Sequence, residues 1–222
     1  MKFTKPFVFI NVAASLDGRI TDWRRRQIRI SCDEDMQRVD KLRAESDAIL
    51  VGIGTVLSDN PSLTVKSREL RENRVKEGKS QNPLRVILDS KARTPLNAKV
   101  LSKDAETLIA VSRIAEREKV EELKKRAEVA ILGEDRVDLR LLMDYLWKKG
   151  VRKLMVEGGG RVISSFLKER LVDQIFVYTG GVVFGEGVSI AEGKISPHVK
   201  LELLEVRKLG RGVLTRWRVL AE

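Results

Sequence analysis

Three consecutive glycines, Gly158 to Gly160, follow an apolar run and precede a segment with helical spacing in the string MVEGGGRVISSF. A glycine-rich turn that opens a helix offers unpaired backbone N–H groups and the positive end of the helix dipole to a phosphate. The string matches neither the G-x-G-x-x-G fingerprint nor the G-x-x-x-x-G-K-[ST] phosphate loop. It predicts an anion-binding turn of another kind, with a plain structural turn as the alternative.

Three further polar or glycine-rich stretches also follow strand-like apolar runs. They are SLDGRI (15–20), GIGTVLSDNPSLTVK (52–66) and DSKARTP (89–95). Ligands of open parallel sheets bind beyond the carboxyl ends of the strands, where such loops converge. Each stretch alone is a weak signal, but four at one edge of a sheet favour a binding cleft over a set of unrelated turns.

Charged side chains in these regions suit a phosphorylated ligand. Ser90, Lys91 and Arg93 at a strand end could contact a 2′-phosphate, as NADPH would require, and a solvated loop is the alternative. Arg43 lies in the last turns of a predicted helix, where an ion pair with Asp40 or Glu45 is the structural alternative.

The chain has one cysteine, Cys32, and one histidine, His198, which excludes an internal disulfide and a zinc site of the usual Cys/His kind. His198 lies just before a late strand, where a surface position is the favoured interpretation. We therefore expect chemistry that uses neither histidine nor a tightly held metal.

The net charge of +11 is compatible with nucleic acid, an acidic membrane surface or small phosphorylated ligands. Much of the excess lies in residues 22–31 and 66–79, and we expect the second segment to be a solvated, partly disordered loop. Aromatic residues make up only 5%, which disfavours a nucleic-acid platform. No apolar run reaches the roughly 18 residues of a membrane helix, so we expect a cytoplasmic protein, and the charged surface suits a thermophile.

Strand-like and helix-like segments alternate over most of the chain. This predicts one α/β domain over residues 1–222, with a mostly parallel sheet flanked by helices and a C-terminal antiparallel hairpin. The predicted strands cover residues 7–15, 47–56 (running into a glycine turn), 84–90, 107–112, 128–132, 153–157, 173–185, 199–210 and 212–222. The predicted helices cover residues 31–46, 112–127, 139–150 and 162–170.

Local signals refine these helices. Ser31 and Glu34 have the spacing of a capping box, and Asp138 and Gly150 have the positions of a helix start and end. Helical spacing places two sets of apolar residues on inner faces: Met36, Val39 and Leu42, and Ile114, Val120, Leu123 and Ala127.

Several strings together resemble the riboflavin-pathway reductase family over nearly the whole chain. They are NVAASLDGRI, ISCDEDMQRVDKLRAESDAILVGIGTVLSDNPSLTV, NPLRVILDSKARTPLNAKVL and MVEGGGRVISSFLKERLVDQIFVYTGGVVFGEG. The resemblance implies a dihydrofolate-reductase-like fold, a homodimer and an NADPH-dependent reduction, with NADH left open. It also implies the substrate, 2,5-diamino-6-ribosylamino-4(3H)-pyrimidinone 5′-phosphate, whose ribosylamino group becomes ribitylamino. The zinc deaminase signature of the bifunctional relatives is missing from this sequence.

The resemblance implies a cofactor role for positions in five segments, all matched to the family residue by residue. These positions are Ala13, Thr55, Asp59, Ser90, Ala92, Arg93, Thr94, Pro95, Val137, Gly159, Gly160, Arg161 and Val162.

For the substrate, the resemblance implies contacts from Gln27, Arg29, Arg43, Leu63, Lys66 and Glu157. Lys66 stands where bacterial relatives have arginine, which keeps the charge but loses the bidentate fork. Glu157, Asp33 or a bound water are the candidates for the proton donor. The rival interpretations are a reductase of the same fold that acts on a pterin, and a basic nucleic-acid-binding protein.

Overall fold

The structure, a computed structural model, describes residues 4–24 and 28–220. Contacts divide the chain into two compact units. The first unit contains the N-terminal residues up to Pro6 and Lys41–Leu154, and the second contains Phe7–Asp40 and Met155–Glu222. The prediction of a single domain remains a prediction.

The strands are β1 Phe7–Ala14, β2 Ala48–Gly52, β3 Leu84–Leu88, β4 Thr107–Val111, β5 Glu128–Ile131, β6 Lys153–Gly158, β7 Gln174–Thr179, β8 Leu201–Leu209 and β9 Gly212–Val219. The α-helices are α1 Asp33–Glu45, α2 Ile53–Asp59, α3 Arg68–Lys76, α4 Arg117–Lys124, α5 Leu139–Lys148 and α6 Gly160–Lys168, and a 3₁₀ turn covers Lys99–Leu101.

The first unit is built on four parallel strands in the order β5-β4-β3-β2. Every residue of β2 and β4 is buried. Such continuous apolar strands are typical of a parallel sheet that is covered on both faces. Parallel neighbours end at the same edge, so the loops after β2, β3, β4 and β5 share one edge of this unit.

The second unit contains β1, β7, β9, β8 and most of β6, in the order β6-β1-β7-β9-β8. β1 and β7 are parallel, with Asn11 opposite Phe176, whereas β9 is antiparallel to both β7 and β8. β8 and β9 form the predicted hairpin, whose turn lies between Leu209 and Gly212. The predicted fold class, mixed α/β with a mostly parallel sheet and a C-terminal antiparallel hairpin, is confirmed.

The predicted start and end of α5 are confirmed. The Asp138 carboxylate accepts the backbone N–H groups of Arg140 and Leu141 at 2.8 and 3.0 Å. The helix closes at Gly150, whose N–H bonds to the Trp147 carbonyl at 3.0 Å and whose φ is +89°. Both positions do what their residue types favour.

The predicted capping box of α1 is wrong. The Ser31 hydroxyl donates to the Asp35 carboxylate at 2.6 Å, and the Asp35 N–H points to the Cys32 sulfur at 3.4 Å. Asp35 is also the buried residue of the first turn, whereas Met36 is 48% exposed, so its predicted inward position is wrong. The reason is an ion pair: Asp35 turns inward to meet Arg38 at 2.7 Å, and Arg38 reaches Asn11.

The segment predicted as a solvated loop, residues 66–79, contains helix α3. The Ser67 hydroxyl caps it by accepting the Leu70 N–H at 3.3 Å. Arg74 is only 4% exposed, and its guanidinium donates to the carbonyls of Ala44, Ser46 and Ser80 at 2.6, 2.7 and 2.9 Å. The charged side chain of Arg74, which in the sequence favoured a solvated loop, therefore bonds to backbone carbonyl groups of the first unit.

Two further local predictions need correction. The glycine turn expected after β2 is the short helix α2, which begins at Ile53. Ile114 lies before α4 and is 47% exposed, and Ala127 lies beyond its end. Val120 and Leu123 are buried, as the helical spacing predicted.

None of the helices among residues 4–24 and 28–220 is both long and apolar enough to cross a membrane.

Arg74→Ala should lower the free energy of unfolding by about 2–4 kcal/mol, because the buried carbonyls of Ala44 and Ser46 and the part-buried carbonyl of Ser80 lose a charged donor. Chemical denaturation of both proteins measures this difference. Arg68→Ala is the matched control, since Arg68 lies on the exposed face of the same helix in a pair with Glu72. Its effect should stay within about 0.5 kcal/mol. Equal stabilities of the two variants would contradict the role of Arg74.

Candidate active site

The loop after β3 is held in a tight conformation by Asp89. This carboxylate is fully buried, and one of its oxygens accepts both the N–H and the hydroxyl of Thr94 at 2.7 and 2.8 Å. Between them, Ala92 takes a left-handed conformation with φ of +53°. The predicted cofactor positions Ala92 to Pro95 therefore form one ordered turn at the carboxyl end of β3.

Ser90 joins this loop to the loops after β4 and β5. Its hydroxyl accepts the Val137 N–H at 3.1 Å, and its carbonyl accepts the N–H and hydroxyl of Ser112 at 3.2 and 2.8 Å. Ser90 and Val137 are 47 residues apart in the chain and were both predicted to contact the cofactor. The structure of the first unit brings them into direct hydrogen-bonding contact.

Helix α2 carries Thr55 and Asp59 one turn apart, a spacing that places them on one face of the helix. Among the described residues, one carboxylate oxygen of Asp59 is buried and has no hydrogen-bond partner. Such an oxygen is an acceptor that a ligand hydroxyl could satisfy. Asn60 ends the helix with φ of +42°, and its side chain accepts the Lys99 N–H.

Arg43 and Lys66 both contact residues 62–64 of the first unit. The Arg43 guanidinium donates to the Thr64 carbonyl at 3.2 Å. The Lys66 ammonium donates to the hydroxyls of Ser62 and Thr64 at 2.6 and 3.0 Å. Leu63 is buried between these residues, with φ of +48°. Lys66 and the two hydroxyls on this segment, together with Arg43 of α1 that contacts it, form a set of groups suited to a phosphate.

Two residues outside the predicted site hold this segment. Arg71 of α3 donates to the carbonyls of Val65 and Lys66, both at 2.8 Å, and the Asn82 side chain accepts the Val65 N–H at 2.8 Å. The sequence interpretation missed Arg71 because it treated residues 66–79 as a loop. The Ser67 cap ahead of a run of good helix formers was the available signal.

The glycine turn of the second unit lies where β6 meets α6. Gly159 precedes the helix with φ of +64°, and a Cβ on Gly160 would collide with the Ser189 carbonyl oxygen. Only glycine fits these two positions without strain. The N-cap residue Gly159 has no side chain that could cap α6, so the N–H groups of the first turn receive no hydrogen bond from it, as suits an anion-binding turn.

The remaining predicted residues of the second unit differ in accessibility. Ala13 in β1 lies opposite Tyr178, and Glu157 in β6 lies one residue before the glycines; both are half-buried. Arg161 is exposed and lies 3.6 Å from Glu192, while Val162 is half-buried. Arg29 is exposed, pairs with Asp33 and donates to the Ser31 carbonyl at 3.2 Å. Gln27 lies outside the described residues.

The charged residues Lys91 and Arg93, considered for a 2′-phosphate, are exposed, and Arg93 lies 3.8 Å from the Asp89 carboxylate. His198 is exposed. The first unit thus offers hydroxyls, two cations and the Asp59 carboxylate, and the second unit offers the glycine turn and the Glu157 carboxylate. Each set is suited to binding and positioning a ligand.

The chain belongs to the RibD C-terminal domain family, which matches residues 6–215. It is 56% identical over 210 residues to the 2,5-diamino-6-ribosylamino-4(3H)-pyrimidinone 5′-phosphate reductase of Archaeoglobus fulgidus, with 94% of this chain and 95% of the relative covered.

Two known structures show the same fold. The diaminohydroxyphosphoribosylaminopyrimidine deaminase/5-amino-6-(5-phosphoribosylamino)uracil reductase of Thermotoga maritima has a TM-score of 0.79 and 28% identity, covering 97% of this chain and 57% of that one. Dihydrofolate reductase from Enterococcus faecalis, complexed with NADP(H) and RAB-propyl, has a TM-score of 0.52 at 11% identity, covering 96% of each chain. The predicted dihydrofolate-reductase-like fold is confirmed.

Gly159→Val should weaken binding of NADPH by at least about tenfold, because a branched side chain would fill the turn before α6. It should also strain the backbone, since φ is positive there. Fluorescence titration with NADPH measures the affinity. Gly150→Val is the matched control, because it places the same side chain at a positive φ at the end of α5. If both variants bind NADPH as the wild type does, the glycine turn does not hold the cofactor.

Proposed function

We propose that the chain is an NADPH-dependent reductase that converts 2,5-diamino-6-ribosylamino-4(3H)-pyrimidinone 5′-phosphate to the ribitylamino product in riboflavin biosynthesis. The observation that carries this proposal is the 56% identity to the Archaeoglobus fulgidus reductase across 95% of that protein. The convergence of Arg43 and Lys66 on residues 62–64 supports it, because the substrate carries a phosphate.

The residues present fit a nicotinamide dinucleotide. In the second unit, the glycine turn before α6 offers backbone N–H groups that suit a pyrophosphate. In the first unit, taken by itself, the buried Asp59 oxygen offers an acceptor that suits a ribose hydroxyl. Ser90, Lys91 and Arg93 at the end of β3 supply the positive and polar groups that favour NADPH over NADH. When bound, the nicotinamide ring supplies the hydride for C1′ of the ring-opened substrate.

Arg43 and Lys66 bind the 5′-phosphate in this proposal. Each cation donates charge-assisted hydrogen bonds to a phosphate oxygen. Lys66 lacks the fixed fork of an arginine, but the hydroxyls of Ser62 and Thr64 already hold its ammonium at 2.6 and 3.0 Å. Because the ammonium is already held in place, Lys66 loses less side-chain conformational entropy on binding the phosphate than an unconstrained lysine would.

Glu157 is the proposed proton donor. Opening of the ribose ring to the imine requires a proton at the ring oxygen, and hydride addition at C1′ of the imine then requires a proton at the nitrogen. A positioned carboxyl group can deliver such a proton. Glu157 is half-buried at the end of β6, immediately before the glycine turn. Glu157 is therefore a residue of the same strand that leads into the glycine turn.

We further propose a cytoplasmic homodimer that associates through the apolar face of the C-terminal hairpin. The register places Leu203 opposite Trp217 and Leu201 opposite Val219, so these side chains share one face. Val206 on β8 is 61% exposed, Leu203 48% and Val213 on β9 40%. An apolar sheet face of this kind is typical of an interface between subunits.

The direct experiment compares the consumption of NADPH with the phosphorylated substrate and with its dephosphorylated form. The proposal expects oxidation of NADPH that depends on the phosphate. Equal rates with both forms, or activity on a pterin alone, would favour a different reductase of this fold. Salt-sensitive RNA binding without NADPH binding would contradict a reductase altogether.

Arg43→Ala should raise the KM for the phosphorylated substrate by about 10- to 100-fold, the equivalent of about 1.5–3 kcal/mol for a hydrogen bond to a charged group. The KM for NADPH should change much less. Steady-state kinetics with each substrate varied in turn measures both values. Lys41→Ala, an exposed cation of the same helix, is the control. An equal rise of both KM values would indicate that Arg43 is structural.

Glu157→Gln should lower kcat by about 100-fold, the contribution typical of a general acid, while NADPH binds as in the wild type. Single-turnover kinetics and a binding titration separate the two effects. Glu134→Gln, which removes an exposed carboxylate, is the control and should keep full activity. Full activity of Glu157→Gln would refute the role of Glu157 as the proton donor.

A further inference from the structure

The loop after β1, residues 15–20, folds back on itself in the second unit. The Ser15 N–H bonds to the Arg19 carbonyl at 2.8 Å, and the Arg19 N–H bonds to the Ser15 hydroxyl at 2.9 Å. Gly18 closes the turn with φ of +75°. The side chain of Asp17 therefore stands at the tip of a compact turn at the carboxyl end of β1.

The Asp17 carboxylate connects this turn by hydrogen bonds to residues 184 and 185, which lie far along the chain. It accepts the Ser15 hydroxyl at 2.6 Å and the backbone N–H groups of Phe184 and Gly185 at 3.1 and 2.7 Å. The Ser15 hydroxyl, followed by the Phe184 N–H, lowers the pKa of Asp17 from 3.8 to about 2. The carboxylate is thus charged at neutral pH and holds all three donors.

Backbone hydrogen bonds and Arg19 extend the same connection. The N–H groups of Leu16 and Ile20 bond to the carbonyls of Val182 and Val188, both at 2.8 Å. Arg19 also donates to the Gly185 carbonyl at 3.1 Å and to the Ser189 hydroxyl. Residues 15–20 and 182–190 therefore form one hydrogen-bonded layer, which we name the β1 clip.

The β1 clip contacts the first turn of α6. The Ser189 carbonyl oxygen lies where a Cβ on Gly160 would stand, and the Glu192 N–H bonds to the Gly160 carbonyl at 3.3 Å. Glu192 also lies 3.6 Å from Arg161. The segment that Asp17 holds by hydrogen bonds, residues 182–190, is therefore the segment that packs against the Gly159–Gly160 turn.

We propose that Asp17 is a positioning residue for the cofactor. By holding residues 184 and 185, it fixes the position of the segment that packs against the Gly159–Gly160 turn, and this packing gives the turn the shape that a dinucleotide pyrophosphate requires. This inference rests on the proposed function, because it assumes that the turn binds NADPH. A carboxylate that orders a loop is needed here because residues 180–200 contain no strand or helix of their own.

Asp17→Asn tests the proposal, because the amide keeps the shape but replaces one acceptor oxygen by a donor that faces a backbone N–H. The Kd for NADPH, measured by fluorescence titration, should rise by about tenfold. The KM for NADPH should rise with it, while kcat and the KM for the pyrimidinone phosphate change little. Glu186→Gln, an exposed carboxylate of the same loop, is the matched control and should bind NADPH as the wild type does.

Hydrogen exchange of the Gly185 amide reports on the clip independently of activity. It should be slow in the wild type and faster in Asp17→Asn. Because the pKa of Asp17 is lowered, the hydrogen bonds that its carboxylate adds to the clip should persist above pH 3.8 and be lost as the pH falls through about 2. NADPH affinity should therefore show no titration by Asp17 between about pH 5 and 9.

The outcomes separate this inference from the proposed function. If the wild type binds NADPH and Asp17→Asn binds it within a factor of about two, or if the Gly185 amide exchanges equally in both, the positioning role is wrong. If the wild type binds no NADPH, the proposed function itself fails. Should Asp17→Asn not fold, Ser15→Ala removes one hydrogen bond from the same carboxylate, and an unchanged Kd in that variant would also refute the role.

Discussion

The loops that follow the parallel strands have backbone N–H and C=O groups that no neighbouring strand can pair, and side chains of the same unit satisfy them. Asp89 does this for the turn that contains Thr94, and Arg71 does it for the carbonyls of Val65 and Lys66. Asp17 does it for the amides of Phe184 and Gly185. Because the proposed ligand contacts lie on these loops, the geometry of the binding loops within each unit depends on these few hydrogen bonds.

This dependence gives the charged residues two different roles. Arg71, Arg74 and Asp17 bond to backbone groups of the protein itself. Arg43 donates to a carbonyl and Lys66 to two hydroxyls of residues 62–64, the segment that we propose holds the substrate phosphate. The net charge of +11 therefore includes cations that bond to the protein backbone as well as cations proposed to bind a phosphorylated ligand.

Much of the fold could be predicted from the sequence, because buried strands such as β2 and β4 are short, apolar and β-branched. The antiparallel hairpin and the Asp138 cap had local signals as well. Helix α3 had only the Ser67 cap as a local signal, and its high charge favoured a solvated loop, because the tertiary partners of Arg74 are not visible in the sequence. The start of α1 failed for a related reason, since a buried pair between Asp35 and Arg38 turns that helix away from the predicted face.

The site residues stay predictions, although the structure brings some of them together. Ser90 and Val137 share a hydrogen bond, and Arg43 and Lys66 contact the same short segment. Arg71, Asn82 and Asp17 were missed, because each acts on backbone groups that are distant in sequence, and no spacing rule reveals such a partner. Residue types indicate which chemistry is available, whereas the hydrogen bonds that hold the loops become visible only in three dimensions.

The most direct test of the proposed reductase function follows the transfer of the hydride from NADPH to the substrate. Wild-type protein is incubated with the pyrimidinone 5′-phosphate and NADPH that carries deuterium at the transferred position, and the product is analysed by mass spectrometry. The proposed reductase function predicts a ribitylamino product with the deuterium at C1′ and the pyrimidinone amino groups intact. Recovery of unreduced substrate, or of a reduced product without the label, would contradict it.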